Sequence, residues 1–116
     1  MKLGTKTYYT RHLDTLISRK VRAVGYCERC GGKSNLQTAH IISRKNRTLR
    51  FDFNNLLCLC SGCHFWAHQD PLGFVDFIDT NYPHRHDYLN MYKNHITKYS
   101  AKDLKELYLD LKKEVG

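Results

Sequence analysis

Residues 58–68 read Cys-Leu-Cys-Ser-Gly-Cys-His-Phe-Trp-Ala-His, so three thiols and two imidazoles fall within eleven positions. A second Cys-x-x-Cys unit, Cys27-Glu28-Arg29-Cys30, lies upstream, with twenty-nine residues between Cys30 and Cys60. Two such pairs at this separation are the donor pattern of a closed tetrahedral zinc site, because thiolate is a soft ligand and Zn(II) accepts four sulfurs. Cys27, Cys30, Cys60 and Cys63 are therefore expected to hold a structural zinc whose binding free energy becomes folding free energy. The competing reading is four unligated core cysteines. Gly31 and Gly32 follow Cys30 and can supply the positive φ that a knuckle turn requires. The odd cysteine, Cys58, reads as a small buried hydrophobe.

His64 and His68 are four apart on a predicted helix, so both imidazoles project from one face. By geometry alone that is a chelating pair; taken in isolation, two partly exposed histidines are the plainer reading. Their position directly after a zinc cysteine favours metal. A four-sulfur site is already full, so the pair would serve a second ion. His12, His84, His86 and His95 have no partner at metal spacing and receive no role.

The elements that must position these groups follow from periodicity. Residues 10–24 place Leu13, Leu16, Ile17, Val21 and Val24 at helical spacing, with Gly25 as the stop. Residues 1–7 are polar and read as frayed. Residues 36–42 look like a strand ending near His40, residues 43–51 a basic loop, and residues 52–57 a short turn or helix. The second knuckle runs into the helix of His64 and His68. Pro71 suits a helix first turn, with Phe74, Val75, Phe77 and Ile78 on one side. Asn81-Tyr82-Pro83 reads as a break. Residues 86–97 follow as a helix with Tyr88, Leu89, Tyr92 and Ile96 inward. Ser100 to Asp103 looks like a capping box for a last helix with Leu104, Leu107, Tyr108, Leu111 and Val115 inward. The tail aromatics read as core, not as stacking platforms for bases.

The length of 116 residues fits one domain, divided into an N-terminal helical part (1–25), a knuckle-bearing core (26–70) and a helical tail (71–116). No apolar run approaches the roughly 18 residues of a membrane span, and the first residues lack a signal-peptide core, so an intracellular, membrane-free protein is expected. That compartment also favours metal over disulfide for clustered cysteines. Charge is uneven. Residues 1–50 hold twelve Lys or Arg against two acids, whereas residues 51–116 hold seven against nine. The basic half points to an anionic partner, nucleic acid first. Arg44, Lys45, Arg47 and Arg50 are the candidate phosphate contacts; a solvated basic loop, or an Arg50–Asp52 pair, is the alternative. Arg11, Arg19, Lys20 and Arg22 on the first helix carry the same ambiguity.

The order His40, Asn55, His64, within AHIISRKNRTLRFDFNNLLCLCSGCH, resembles the HNH endonuclease family over roughly residues 20–80. The resemblance implies an α+β fold with a zinc-stapled ββα-metal (His-Me finger) core: a hairpin carrying the first histidine, packed on a helix carrying the last. The small residue before the histidine, then Ile-Ser-Arg, Leu-Arg-Phe-Asp, Asn and Cys-x-x-Cys, is most similar to the phage NinG/Rap group of branched-DNA nucleases. There the resemblance departs once, since the knuckle continues here into Cys-His and not Cys-Asn.

By resemblance, His40 is the general base, Asn55 holds the loop and orients His40, and His64 and His68 carry one catalytic divalent ion (Mg, Mn, Ni or Zn). Products would be 5′-phosphate and 3′-hydroxyl ends. The chemistry suits the residues, because a neutral imidazole of ordinary pKa about 6.5 can take a proton from water. A second departure is Ala39, where many family members place an Asp or His ligand. Asp52, Asp70 or His40 itself are the candidates to complete that shell. The implied partner is DNA, including branched recombination intermediates, in the cytoplasm of a phage-infected or prophage-bearing bacterium. The tail helices complete the core, contact DNA or form a homodimer. Two other classes remain open at this point: a non-catalytic zinc module that binds DNA, and a phage assembly or packaging partner.

Overall fold

The computed structural model describes residues 5–115, and the side chains of 5–113. Thr5 sets the start of the first helix: its hydroxyl accepts from the Tyr8 amide at 3.1 Å, so α1 (Lys6–Arg22) begins earlier than the apolar periodicity indicates. Residues 6 and 7, expected to fray, are helical; residues 1–4 of that stretch lie outside the described residues. Leu13 and Ile17 are buried as expected. Val24 is exposed, because the helix ends at Arg22 and Gly25, at φ +87°, turns the chain away.

β1 (Leu36–His40) and β2 (Leu56–Cys60) form a two-stranded antiparallel sheet in which His40 pairs with Leu56 and Leu36 with Cys60. β1 stops at His40, short of the expected residue 42, because the next two amides bond to Asn55. The Ile41 amide donates to its carbonyl at 2.9 Å and the Ile42 amide to its side-chain oxygen at 2.7 Å. Residues Phe53–Asn55 make a 3-10 turn, in keeping with the expected turn, but from Leu56 the chain is strand. β2 lacks the alternation that announces a strand, since Leu56, Leu57, Cys58 and Leu59 are all buried. Leu56 belongs to a cluster with Leu13, Ile17, Phe51, Leu104 and Leu111. Leu57 and Leu59 belong to another, with Cys27, Ala39, Cys63, Ala67, Phe74 and Ile78. Each such leucine contributes about 1.5–3 kcal/mol by leaving water.

Four helices follow: α2 (Ser61–Gln69), α3 (Pro71–Asn81), α4 (Pro83–Tyr92) and α5 (Ala101–Val115). Cys60 caps α2 and Asp70 caps α3, each accepting from the amide three residues on. Pro83 is a first-turn residue like Pro71, so the expected helix over 86–97 is shifted toward the N-terminus. Leu89 is buried, but Tyr92 is exposed and Ile96 is 81% exposed beyond the helix end. Val75 is likewise exposed. The capping box is present: the Ser100 amide donates to Asp103 and the Asp103 amide to the Ser100 hydroxyl, at 3.0 and 3.1 Å. α5 lies against α1 through Leu104 and Leu111; the side chain of Val115 is outside the described residues. No helix among the described residues is long and apolar enough to cross a membrane.

Candidate functional site

The two knuckles meet at one end of the sheet. The sulfurs of Cys27, Cys30, Cys60 and Cys63 all lie within 4.8 Å of one another, and Cys30 and Cys60 are 3.7 Å apart. A ZnS4 tetrahedron with ~2.3 Å bonds has sulfur–sulfur edges of about 3.8 Å, so the spacing fits a single zinc ion. The turn is built to face sulfur with donors. Cys30 N points at Cys27 Sγ at 3.5 Å, Gly32 N at Cys30 Sγ at 3.4 Å, and Cys63 N at Cys60 Sγ at 3.4 Å. Gly31, at φ +79°, makes that geometry accessible.

Ionisation argues for a cation as well. Burial opposes the Cys27 thiolate, yet backbone donors of Cys30, Cys60 and Arg29 outweigh it and draw the thiol down to about 6. Burial pushes Cys63 up to about 12, although Arg29 donates to its sulfur at 3.4 Å. A dication among the sulfurs offsets the burial that opposes the Cys27 and Cys63 thiolates. Arg29 is itself stacked on Trp66, 3.6 Å from the ring centroid. Glu28 ties the first knuckle to the outer edge of β2: its amide donates to the Cys58 carbonyl and its carboxylate accepts the Cys58 amide, at 2.8 and 2.7 Å. Cys58 is fully buried, and its sulfur is not part of the four-sulfur group.

The histidines lie outside that cage. His40, His64 and His68 line one cleft of ≈ 800 Å³, walled on its other side by Asp14, Thr15, Ser18 and Arg22 of α1. A hydroxyl contact between Ser18 and Thr38, 2.9 Å, holds α1 to β1 beside it. The His40 Nε2 lies 3.2 Å from the Arg50 carbonyl. A carbonyl only accepts, so Nε2 carries the hydrogen and Nδ1 is left with a free lone pair. Burial first, and then Arg44 and Arg50, hold His40 below the ordinary imidazole pKa, against the Arg50 carbonyl and Asp14. It is therefore neutral at pH 7. His64 is also held low, by burial and by His68; the two rings are 4.9 Å apart.

Asn55 is fully buried and binds the loop, not His40 directly. Its amide nitrogen donates to the carbonyls of Ile42 and Leu49 at 2.9 and 3.2 Å, while its oxygen takes the Ile42 amide. Asn55→Ala leaves three backbone groups unpartnered, at roughly 1 kcal/mol or more each. A loss of about 3 kcal/mol in urea unfolding is expected, so this variant alone cannot isolate a catalytic role.

The metal-shell candidates Asp52 and Asp70 are employed elsewhere. Asp52 accepts from Asn54 N and from the Tyr88 hydroxyl, and Asp70 caps α3. Among the described residues, the cysteine cage is the one group of three or more His, Cys, Asp or Glu with metal spacing. Ala39, 1% exposed, is packed with Cys63 and Ala67.

Residues 27–70 match the HNH endonuclease family. The matched segment runs from the first cage cysteine to the end of α2, and the match suggests nuclease activity. No curated protein and no solved structure matches the chain.

In the loop of the matched segment, Arg44 and Arg50 reach the cleft, while Lys45 and Arg47 are exposed outside its lining. The Arg50–Asp52 pair considered from sequence is not formed. Arg50 instead grips Asp14 of α1 at two points, 3.1 and 2.5 Å, and also reaches the Arg44 carbonyl. The loop is secured from behind by the segment after α4: Asn46 donates to the Lys93 carbonyl and Thr48 to that of His95, at 2.8 and 2.6 Å. Asp14, Gln37 and Thr38 went unnoticed in the sequence. Nothing local marks Asp14, whose partner lies thirty-six residues away. Because the Asp14–Arg50 pair is half-buried and two-pronged, Asp14→Ala is expected to cost ~1.5–3 kcal/mol of stability, read as a lower urea midpoint.

Proposed function

We propose that the chain is a metal-dependent HNH DNA endonuclease: one domain with a zinc-stapled ββα-metal core formed by β1, β2 and α2. The carrying observation is the cleft shared by His40, His64 and His68, separate from the sulfur cage and flanked by Arg22 and Arg44. The two imidazoles of α2, one turn apart, fit a divalent cation, with His64 neutral at pH 7. Bound there, a cation supplies Lewis-acid stabilisation of the scissile phosphate and leaving oxygen. His40 Nδ1 takes a proton from the attacking water, while the Arg50 carbonyl steadies the ring through Nε2. Asn55 fixes the chain on either side of the loop, so that His40 and the basic residues keep their relative positions. Arg44, Lys45 and Arg47 contact phosphates flanking the cut, and Arg50 joins them from its tether to Asp14. Branched recombination intermediates of a phage or prophage are the proposed substrates; the Ile-Ser-Arg and Leu-Arg-Phe-Asp residues of the loop support that finer reading.

The test is nicking of a supercoiled plasmid by the zinc-loaded protein with added Mg(II), Mn(II) or Ni(II). His68→Ala should lower cutting while the cage zinc is retained. The pH profile follows from His40. Only neutral imidazole accepts the proton, and its pKa is held below the ordinary value. Cutting is therefore expected to stay near its plateau as pH falls from 8 to about 6.5, the ordinary histidine value, and to decline only below it.

One observation favours a second reading. Ala39 puts a methyl group where many HNH proteins carry a ligand, and it is buried in the core. A protein that binds DNA with steep salt dependence but cuts with no divalent ion would be a DNA-binding zinc module.

A further inference from the structure

A histidine binds a cation through the nitrogen that carries no hydrogen, so the group that holds the hydrogen on the other nitrogen decides whether the ligand is ready. For His64 that group is Gln37. Its Oε1 lies 2.7 Å from His64 Nδ1. An amide oxygen can only accept, so Nδ1 is protonated and the Nε2 lone pair is presented.

The placement follows from the pleat of β1. Gln37 and Ala39 are two apart and share a face of the strand. Ala39 is buried against Cys63 and Ala67, which puts this face toward α2, where His64 resides. Gln37 is exposed, so it spans from the strand to the helix without contributing to the core. The strand face that lacks a direct ligand at Ala39 thus supplies an amide that orients a ligand on the helix.

We infer that Gln37 is a positioning residue: it locks His64 in the tautomer that binds metal and thereby sets the affinity of the His64–His68 pair for a divalent cation. This rests on the proposed placement of a cation on those two histidines. A neutral amide provides the lock without adding charge to the site, and a carboxylate in its place should tighten binding further.

The experiment is calorimetric titration of Ni(II) into the zinc-loaded full chain, with cage zinc assayed afterwards, for wild type, Gln37→Ala, Gln37→Glu and His64→Ala. Gln37→Ala is expected to bind about 10–100-fold more weakly and Gln37→Glu at least as tightly as wild type, with unchanged thermal midpoints before nickel is added. Long-range proton–nitrogen spectra of the nickel-free protein supply the second readout. His64 should be Nδ1-protonated in wild type and shift toward Nε2-protonated in Gln37→Ala. If Gln37→Ala binds as wild type does while His64→Ala loses the ion, the positioning role is overturned and the metal site stands. If wild type and His64→Ala bind alike, the ion is not on His64, and the site and the inference fall together.

Discussion

Stripping zinc from the protein is expected to unfold its centre, with loss of helical ellipticity and of any cooperative thermal transition. The four cage sulfurs come from two segments far apart in the chain, and besides the metal site a few polar contacts join the knuckles: Glu28 to both backbone groups of Cys58, and Arg29 to the Cys63 sulfur. A structural zinc contributes about 10–16 kcal/mol in comparable small sites, as much as the whole stability of a typical domain, ~5–15 kcal/mol. The cage also borders the core, since Cys27 and Cys63 pack with Leu57, Leu59 and Ala67. Cys63→Ser should therefore lose both zinc and the transition. Cys58→Ala, equally deep but outside the cage, should keep its zinc and lose only a few kcal/mol at most, the ordinary effect of a small core change. Circular dichroism melts alongside zinc assay read both. A zinc-free protein that melts like the native one would remove the structural role of the cage.

His40→Ala is expected to reduce plasmid nicking by roughly 10²–10⁴-fold, the usual contribution of a positioned general base, with DNA affinity nearly unchanged. The reasoning is local. His40 is half-buried at the end of β1, and its side chain bonds through Nε2 to the Arg50 carbonyl. Removing it leaves the Asn55 clamp, the Asp14–Arg50 pair and the cations of the basic loop in place. Gel-shift titrations at two salt concentrations, run beside the nicking assay, separate binding from cutting. Equal loss of both in His40→Ala would mean that the residue supports the fold or the DNA surface and not proton transfer. Full retention of cutting would place the base elsewhere.

Much of the cage was legible before any coordinates, because metal-ligand spacing is written in residue type and separation. The two Cys-x-x-Cys units named the four sulfurs, and they also set Cys58 aside. The His64–His68 pair was legible for a similar reason: a helix places residues four apart on one face whatever surrounds it. The second strand was not. Leu-Leu-Cys-Leu-Cys has no polar alternation, since burial on both sides of the hairpin erases the two-residue period that betrays a strand. The α4 boundary was missed because Pro83 can end one helix or begin the next; here the Tyr82 backbone does both, its amide donating to the Ile78 carbonyl of α3 at 2.7 Å and its carbonyl accepting from the His86 amide of α4 at 3.0 Å.

The amino-acid sequence by itself determined the donor groups, the charge asymmetry and the helical faces, because each depends on side-chain chemistry or short-range backbone geometry. What faces what was decided by tertiary structure alone. Arg50 turned to Asp14 and not to its neighbour Asp52, Asn55 clamped the loop and not His40, and α1 became a wall of the histidine cleft. The Asn55–Ile42 and Arg50–Asp14 contacts join residues 13 and 36 positions apart, and they form only when burial of the two leucine-rich clusters has brought the helices and hairpin together.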